Sequence, residues 1–312
     1  MSGAPQEPLA VTMDASMIEP YEQFRPLMLA IAYRMLGSAS EAEDIVQEAF
    51  LRYQRELAKG TEVQSTKAYL SAITTRLSID HLRSARVRRE QYVGTWLPEP
   101  LITEEEAGIG AASPAETADS LSMAFLVLLE SLSPVERAVF LLREVFDYGY
   151  EDIAAIVGKT EDNCRQIAVR ARRHVEDKRP RFEASRARRE ELAQRFFDAI
   201  LAQDEAGLVE LLAADVVVYA DGGGAAVAFP RPVAGRDKVA RLFRGPAAQG
   251  ARVEITGFLT VSINGQPGAV LLGPGGRAAV VVTLDIADDQ IQTVRAITNP
   301  DKLRHLGSFE VG

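Results

Sequence analysis

Cysteine is almost absent from this sequence of 312 residues, in which Cys164 is the single example. One cysteine excludes an internal disulfide and is typical of a protein in a reducing compartment. The chain also has only three histidines, and neither His81, His174 nor Cys164 suggests catalysis or metal ligation. The sequence therefore predicts no metal and no cofactor.

Long apolar runs are absent as well, since none approaches the roughly 20 residues that a membrane helix needs. The first 20 residues are acidic and lack the basic start and apolar stretch of a signal peptide. We therefore expect a cytoplasmic bacterial protein that makes no membrane contact and whose residues 1–20 are disordered.

Positive charge is in the minority, and the net charge of −9 argues against non-specific nucleic-acid binding by the chain as a whole. The length and a hydrophobic fraction of 47% predict a soluble protein of two or three globular domains. However, residues 165–189 contain ten basic and three acidic side chains, whereas residues 97–119 contain six acidic and no basic ones. This segregation indicates one surface for a polyanion and one stretch that avoids it.

Residues 133–173 have the spacing of a helix-turn-helix. Ser133 and the proline and glutamate that follow it predict a capped helix start. A second short helix is predicted over residues 150–157, after which Gly158 supplies the turn. Thr160 can cap a third helix that continues to about residue 176.

The third helix has one narrow apolar stripe, because small or apolar residues recur at helical spacing. The stripe consists of Cys164, Ala168, Ala171 and Val175. Small residues inward and polar residues outward suit a recognition helix in the major groove of DNA. The predicted DNA-binding residues are Thr160, Asn163, Arg165, Gln166, Val169, Arg170, Arg172 and Arg173. An ordinary three-helix bundle with a solvated face is the alternative.

Two helices are predicted near the start of the chain, over residues 21–37 and from Ser40, which can form a capping box with Glu43. On the second helix, apolar residues repeat at helical spacing and the opposite face is acidic. That face carries Asp44, Gln47, Glu48 and Leu51. Periodicity alone predicts only that these side chains are solvated.

A further helix begins near Lys67 and becomes basic towards its end. Its outward side chains are Arg76, Asp80, Arg83, Arg86, Arg88 and Arg89, with aromatic residues nearby. Cations for phosphates and aromatic rings for unstacked bases are the two parts of a single-strand binding surface. A helix end that is basic to suit its dipole explains one or two of these arginines but not four in seven residues.

Three stretches together resemble a known family. Residues 41–50 (EAEDIVQEAF) and 69–83 (YLSAITTRLSIDHLR) resemble the sigma-2 domain of extracytoplasmic function (ECF) sigma factors, and residues 133–173 resemble their sigma-4 domain. The resemblance implies an alternative RNA polymerase sigma factor. It further implies a sigma-2 domain over residues 21–93 and a sigma-4 domain over residues 119–180, both all-α.

The resemblance also implies what each surface binds. In the family, the acidic face binds core RNA polymerase at the β′ clamp, with the β flap as a further contact. The basic helix reads and melts the −10 element, and the recognition helix reads the −35 element as a duplex. Asparagine is common in the family where Arg76 stands, so the −10 preference does not transfer in detail.

Residues 94–118, between the two domains, are rich in Pro, Gly and Glu and predict an acidic linker rather than a fold. In the family such a linker threads the polymerase cleft, and its charge suits a channel that holds RNA. A plain solubilising tether is an equal alternative.

Residues 181–312 continue beyond the usual end of this family and have a different pattern. Helices are predicted over residues 186–203, 207–214 and 235–243, and strands over residues 216–219, 227–229, 253–261, 269–272, 278–286 and 291–297. Asn264 and Gly265 mark a turn between two of these strands. Helices followed by a curved antiparallel sheet are typical of an α+β cone.

This order of elements resembles the SnoaL-like, nuclear-transport-factor-like superfamily, and with the sigma domains it resembles the SigJ type of ECF sigma factor. Two motifs of that subgroup are present, namely Asp221, Gly222, Gly223 and Gly224, and Asn299, Pro300, Asp301, Lys302 and Leu303. Ala225 stands where a lysine often follows the glycines, so a charge contact there is absent or moved. A role in docking the domains and a plain hairpin turn are both open for the glycine motif.

The SnoaL-like fold implies a pocket, where acid–base chemistry would need an inward Asp or His beside an oxyanion donor. Asp215, Asp285 and His305 are available, but no spacing marks them as a pair. We therefore expect a regulatory domain that is not an enzyme and that replaces a separate anti-sigma factor. A small-molecule ligand in the pocket stays open. The alternatives are a ligand-sensing helix-turn-helix regulator that does not bind core polymerase, and a sigma factor fused to an active isomerase or cyclase.

Overall fold

The computed structural model describes residues 15–90, 92–103, 120–177, 185–224, 231–244 and 254–309. The first helical unit consists of α1 (Ala15–Leu36), α2 (Ala39–Ala58) and α3 (Thr66–Glu90), which pack on one another. Because α1 begins at Ala15, the prediction that residues 1–20 are disordered is wrong for residues 15–20. Residues 1–14 lie outside the described part of the chain.

The start of α2 differs from the prediction, because Ser38 and not Ser40 is the N-cap. The Ser38 hydroxyl accepts a hydrogen bond from the backbone N–H of Glu41 at 3.1 Å. Ser40 lies in the first turn, and its hydroxyl donates to the carboxylate of Glu99 at 3.1 Å. A carboxylate from a distant part of the chain therefore replaces the predicted partner, Glu43.

The second helical unit consists of α4 (Met123–Leu129), α5 (Pro134–Phe140), α6 (Tyr150–Val157) and α7 (Glu161–Glu176). The predicted caps are confirmed, since Ser133 forms a capping box on α5 and Gly158 ends α6 with a φ of +67°. α5 continues into one π-helical turn, Leu141–Val145. α4 was not predicted, because its sequence MAFLVLL is apolar throughout and has no amphipathic period.

The C-terminal unit is an α+β cone, as predicted. Its helices are α8 (Arg186–Leu201), α9 (Glu205–Leu211), α10 (Arg236–Arg244) and α11 (Pro300–Leu303). Its strands are β1 (Leu212–Asp221), β2 (Val233–Ala234), β3 (Gly257–Ile263), β4 (Gln266–Leu272), β5 (Ala278–Ala287) and β6 (Gln290–Ile297). The strand order is β2-β1-β6-β5-β4-β3. The β1–β6 pair is parallel, so the prediction of an antiparallel sheet is wrong for this pair.

Several predicted boundaries in this unit are wrong. α9 ends at Leu211 and β1 begins at the next residue, so the helix predicted to residue 214 is too long. β3 begins at Gly257 and not at residue 253. β2 was not predicted because two residues are too short to show an alternating pattern. The strand predicted over residues 227–229 lies outside the described residues.

The sheet separates two apolar cores. One face packs on α8, α9 and α10 and includes Phe196 and Phe197 in its core. The other face packs on Leu97, from the predicted linker, and on Met123 of α4, which lie in one cluster with Ile297. The C-terminal unit is therefore joined to the rest of the chain through this face of its sheet and α11, and α8, α9 and α10 lie on the far side.

The predicted linker is partly a packed segment. Residues 97–100 are buried, and the backbone N–H of Thr103 donates to the carbonyl of Ser262 at 2.9 Å. Ile102 forms a β-bridge with Ile263 at the end of β3. The prediction of a linker rather than a fold is therefore wrong for residues 97–103, and residues 104–118 lie outside the described residues.

Candidate nucleic-acid interface and interdomain contacts

α7 presents the predicted −35 residues on its outer side. Thr160 is the N-cap, and its hydroxyl accepts a hydrogen bond from the N–H of Asn163 at 3.3 Å. The predicted inward stripe is confirmed, because its four residues are all buried. The outward residues are all exposed, namely Thr160, Asn163, Arg165, Gln166, Val169, Arg170, Arg172 and Arg173. The Val169 side chain is 47% exposed and is an apolar group of the kind that contacts a thymine methyl.

Two of these arginines are held by carboxylates. Arg165 pairs with two acids of its own first turn, at 2.7 and 2.9 Å. Arg172 pairs with Glu144 at 2.6 Å, whereas Arg170 and Arg173 form no ion pair with a described residue. Surface pairs of this kind contribute only about 0–1 kcal/mol, so a phosphate or a base edge can displace these carboxylates.

The predicted polymerase-binding residues lie along one side of α2. Asp44 and Gln47 are exposed, and Glu48 and Leu51 are half-buried. The Glu48 carboxylate pairs with Arg52, one turn further along the helix, at 2.7 Å. The result is an outward acidic strip on a helix whose other side is buried in the core.

Arg76, one of the predicted −10 residues, contacts the second helical unit in this arrangement. Its Nε donates to the carbonyl of Ile156 at 2.9 Å and its Nη2 donates to that of Ala155 at 2.7 Å. Both carbonyls belong to the last turn of α6, where unpaired carbonyls and the helix dipole favour a cation. The Arg76 guanidinium is therefore occupied in this arrangement.

The other predicted −10 residues lie further along α3. Asp80 and Arg83 are exposed and pair with each other at 3.2 Å. The backbone of α3 continues to Glu90, but the side chains of Arg86, Arg88 and Arg89 lie outside the described residues.

Further contacts join the two helical units. The hydroxyl groups of Ser71 and Tyr148 are 2.6 Å apart, and Arg137 Nη1 donates to the carbonyl of Met35 at 2.6 Å. Arg34, in α1, is 2% exposed, and burial lowers its pKa to about 10. Since Arg34 pairs with no carboxylate among the described residues, this interface buries a charge at a cost in free energy.

Asp221 connects three parts of the chain. It is fully buried, and its Oδ1 accepts a hydrogen bond from the hydroxyl of Tyr92 at 2.5 Å. Its Oδ2 accepts from the N–H of Leu97 at 2.8 Å and from Nζ of Lys302 at 2.7 Å. The carboxylate therefore ties the segment after α3 to β1 and to α11.

Lys302 reaches Asp221 between two aromatic rings. Its Nζ lies 4.3 Å from the ring centroid of Trp96 and 5.0 Å from that of Tyr92. Burial and the hydrogen bond to Asp221 raise the pKa of Tyr92. We call this group the clasp, and its members are Tyr92, Trp96, Asp221, Asn299 and Lys302.

The glycine motif lies against the clasp. Gly223 has a φ of +61°, and a Cβ at this position would lie 2.3 Å from Nδ2 of Asn299. Asn299 is the N-cap of α11 and donates to the hydroxyl of Tyr92 at 2.8 Å. Gly222 is buried, and Gly224 has a φ of +76°. Position 223 thus needs glycine both for its conformation and for the close approach of Asn299.

The remaining residues of the second motif have separate places. Pro300 occupies the first turn of α11, and the exposed Asp301 pairs with Arg304 at 2.7 Å. Leu303 is buried in the same cluster as Leu97. Lys302 is therefore the residue of α11 that carries charge into the clasp.

Asn264, which the sequence marked only as a turn, joins all three units. It is fully buried, and its Nδ2 donates to the hydroxyl of Tyr33 at 2.7 Å and to the carbonyl of Leu121 at 3.0 Å. Its Oδ1 accepts from the N–H of Leu101 at 2.9 Å. The Asn-Gly pair signals a turn from local sequence, but nothing local identifies these distant partners.

Glu99 is a second residue whose contacts sequence reasoning missed. Its buried carboxylate accepts hydrogen bonds from the Ser38 hydroxyl and the Ala39 N–H, both at 2.8 Å, and from the Ser40 N–H at 3.1 Å. A carboxylate at a helix start is favoured by the free N–H groups and the dipole. The negative charge of Glu99 therefore caps α2 instead of remaining solvated.

The candidate catalytic groups of the C-terminal unit do not converge. Asp215 is exposed, and Asp285 pairs with Arg295 at 2.5 Å. His305 Nε2 lies 2.8 Å from the carbonyl of Pro100. The space between α8–α10 and the sheet is filled by apolar side chains. A groove of about 820 Å³ lies between α8 and the β3–β4 hairpin.

The described residues contain no group of His, Cys, Asp and Glu that could hold a metal ion. His81 lies 3.0 Å from Glu41, and His174 lies 2.7 Å from the hydroxyl of Ser131. Within the same residues, no helix is long and apolar enough to cross a membrane.

Two family models match the helical units, Sigma-70 region 2 over residues 20–88 and Sigma-70, region 4 over residues 122–175. The chain is 33% identical to the ECF RNA polymerase sigma factor SigJ of Mycobacterium tuberculosis, over 91% of this chain and 92% of SigJ. It is 31% identical to the probable ECF sigma factor SigI of the same species, over 89% and 92%. The crystal structure of M. tuberculosis SigJ aligns with a TM-score of 0.71 at 30% identity, covering 92% of this chain and 98% of SigJ. The likeness therefore includes the C-terminal unit.

Proposed function

The chain belongs to the ECF family of RNA polymerase sigma factors, and we propose that its own C-terminal domain holds it in an inactive arrangement. As an alternative sigma factor it binds core RNA polymerase and directs initiation to specific promoters. The first and second helical units are its sigma-2 and sigma-4 domains. The SnoaL-like domain takes the place of a separate anti-sigma factor.

The contact between Arg76 and the end of α6 carries this proposal. By their names, the −10 and −35 elements lie about 25 base pairs apart, which is roughly 85 Å of duplex at 3.4 Å per base pair. Because α3 and the helix-turn-helix touch each other here, they cannot bind both elements until they separate. The free protein is therefore closed to the promoter.

Residues of the sheet of the C-terminal domain and of its β3–β4 turn contact both helical units and so stabilise the closed arrangement. Asn264 bonds both to Tyr33 of sigma-2 and to Leu121 beside sigma-4. The clasp holds the segment that follows α3 through Asp221. Opening requires that core polymerase, or another signal, break these contacts together.

We assign the binding surfaces as follows from exposure and family. The α2 strip, Asp44, Gln47, Glu48 and Leu51, binds the β′ clamp of core polymerase, with the β flap as a second contact. α3 contacts the −10 element through Arg76, Asp80, Arg83 and the arginines beyond, and α7 reads the −35 element through its outward residues. The exposed acids and the displaceable ion pairs of these helices support this assignment.

We further propose that the C-terminal domain is not catalytic. Asp285 is neutralised by Arg295, and the exposed Asp215 and the linker-bound His305 are separate from it. Among the described residues, the space between α8–α10 and the sheet is filled by apolar side chains. A regulatory domain needs none of this chemistry.

The test of the core-binding surface is Asp44→Ala/Glu48→Ala. Both side chains are at the surface, so the fold should be unchanged, whereas lost interface charges typically cost 2–5 kcal/mol, which is at least tenfold in Kd. The matched control is Glu210→Ala/Asp215→Ala, which removes two exposed acids from the C-terminal domain. Core binding measured by fluorescence anisotropy should weaken in the first variant only. Equal binding by both variants would remove α2 from the interface.

A further inference from the structure

The C-terminal domain carries a concentrated positive charge that the closed arrangement does not use. Residues 231–252 contain six basic side chains and one acidic one, in a chain whose net charge is −9. Three of the basic residues are Arg231, Lys238 and Arg241, and all three side chains are exposed. A cationic patch on an acidic protein indicates a polyanionic partner.

These three cations have no carboxylate partner among the described residues. In the same domain, Arg188 pairs with Glu191 at 2.8 Å and Arg304 pairs with Asp301 at 2.7 Å. Arg241 donates only to a backbone carbonyl, one turn back in α10. The charge of the α10 surface, defined as Arg231, Lys238 and Arg241, is therefore available to a ligand.

The α10 surface lies on the side of the sheet away from the clasp. α10 packs on β1, β2 and α9 through its buried Val239 and Ala240. The opposite face of the sheet carries Asp221 and packs on Leu97 and Met123. With respect to the described residues, the α10 surface is consequently exposed and takes no part in the contacts that hold the sigma domains closed.

The chain between α7 and the C-terminal domain is short. From Asp177, the last described residue after α7, to Ser185 before α8 there are eight residue steps, which span at most about 29 Å when fully extended. This connection itself contains Lys178, Arg179 and Arg181. Whenever α7 lies in the groove of the −35 element, the C-terminal domain must therefore lie beside the same DNA.

We propose that the α10 surface binds backbone phosphates of promoter DNA immediately upstream of the −35 element. The inference rests on the proposed placement of α7. The downstream flank leads to the −10 element, where sigma-2 and core polymerase lie, so the upstream flank is the one open to the tethered domain. We assign the contact to phosphates, because arginine and lysine make most of the backbone contacts that position a protein on DNA without reading its sequence.

The test uses holoenzyme assembled from core polymerase and the full chain, with Lys238→Gln/Arg241→Gln as the variant. Each phosphate contact contributes about 0.9 to the slope of log affinity against log salt. Two lost contacts should reduce the steepness of that slope by about 1.8. Between 50 and 200 mM salt, the affinity of the variant should therefore fall by about twelvefold less than the affinity of the wild type. The matched control, Arg188→Gln/Arg195→Gln, removes the same charge from α8. Each protein is titrated on a duplex that extends 20 base pairs upstream of the −35 element and on one that ends at its edge.

The proposal requires a lowered slope for the α10 variant on the long duplex, no change on the short duplex, and no change for the control. An unchanged slope on the long duplex, or an equal change in both variants, would overturn it. Weaker binding to phosphatidylglycerol vesicles without a change in the DNA slope would overturn it as well, in favour of a membrane surface. If the wild-type holoenzyme binds neither duplex, the placement of α7 itself fails, which is a separate result.

Discussion

At the scale of single residues, Asp221 is the most consequential side chain. It is a fully buried carboxylate whose partners come from three distant segments, and its charge is balanced by Lys302. Removing one member of a buried ion pair leaves the other uncompensated, which typically costs 3–5 kcal/mol. The clasp therefore depends on both charges.

We expect Asp221→Asn to open the clasp. The uncompensated Lys302 should leave its place over Trp96, and since Trp96 is the single tryptophan of the chain, its emission should shift to longer wavelength. Promoter-specific transcription by core polymerase should rise, because the closed arrangement loses one of its ties. The control is Asp301→Asn, which removes an exposed acid of the neighbouring motif. Unchanged emission and unchanged transcription in the Asp221 variant would contradict a restraining role for the clasp.

The sequence identified the two C-terminal motifs but not the residues that their side chains contact. The motifs containing Asp221 and Asn299 were recognised, yet neither Tyr92 nor Trp96 was connected with them. Asn264 was placed in a turn, and its side-chain bonds were not foreseen. The partners of a buried polar group come from remote parts of the chain, and periodicity reports only which side of an element is buried.

At the scale of elements, helices with local signals were predicted well. The capping box at Ser133, the left-handed Gly158 and the cap at Thr160 fix the helix-turn-helix from neighbouring residues alone. α2 shows the limit, because its cap is completed by Glu99, about 60 residues away in sequence. The linker was predicted to be solvated from its composition, but burial against the sheet overrides composition there.

We expect Glu99→Gln to weaken the attachment of the linker to the start of α2. This change keeps the shape of the side chain but removes the charge that four donors around the start of α2 share. Charge-assisted hydrogen bonds of this kind contribute about 1.5–3 kcal/mol, so thermal unfolding should begin at a lower temperature and the linker should be cleaved faster by protease. Glu62→Gln, at an exposed position in the α2–α3 loop, should leave both measurements unchanged. If the two variants behave alike, the Glu99 cap does not stabilise the closed form.

At the scale of the whole molecule, the proposed regulation of the sigma factor rests on how its three domains pack together. Sigma-2 and sigma-4 share one apolar core, and the sheet of the third domain covers the segment between them. The same interface buries Arg34 without a carboxylate partner among the described residues. Because burying an unpaired charge costs free energy, this contact lowers the stability of the closed state and so favours opening. Sequence alone predicted three domains and their order but not this packing, since interdomain contacts leave no periodic signal.

The measurement that tests this account most directly is run-off transcription with purified core polymerase, comparing the full chain with a chain that ends after residue 181. The template should begin at the upstream edge of the −35 element, so that the α10 surface has no DNA to contact and only restraint is measured. We expect more transcript from the shortened chain at equal sigma concentration, because sigma-2 and sigma-4 separate more readily without the clasp and Asn264. Equal or lower output from the shortened chain would contradict the claim that the C-terminal domain holds the sigma factor closed.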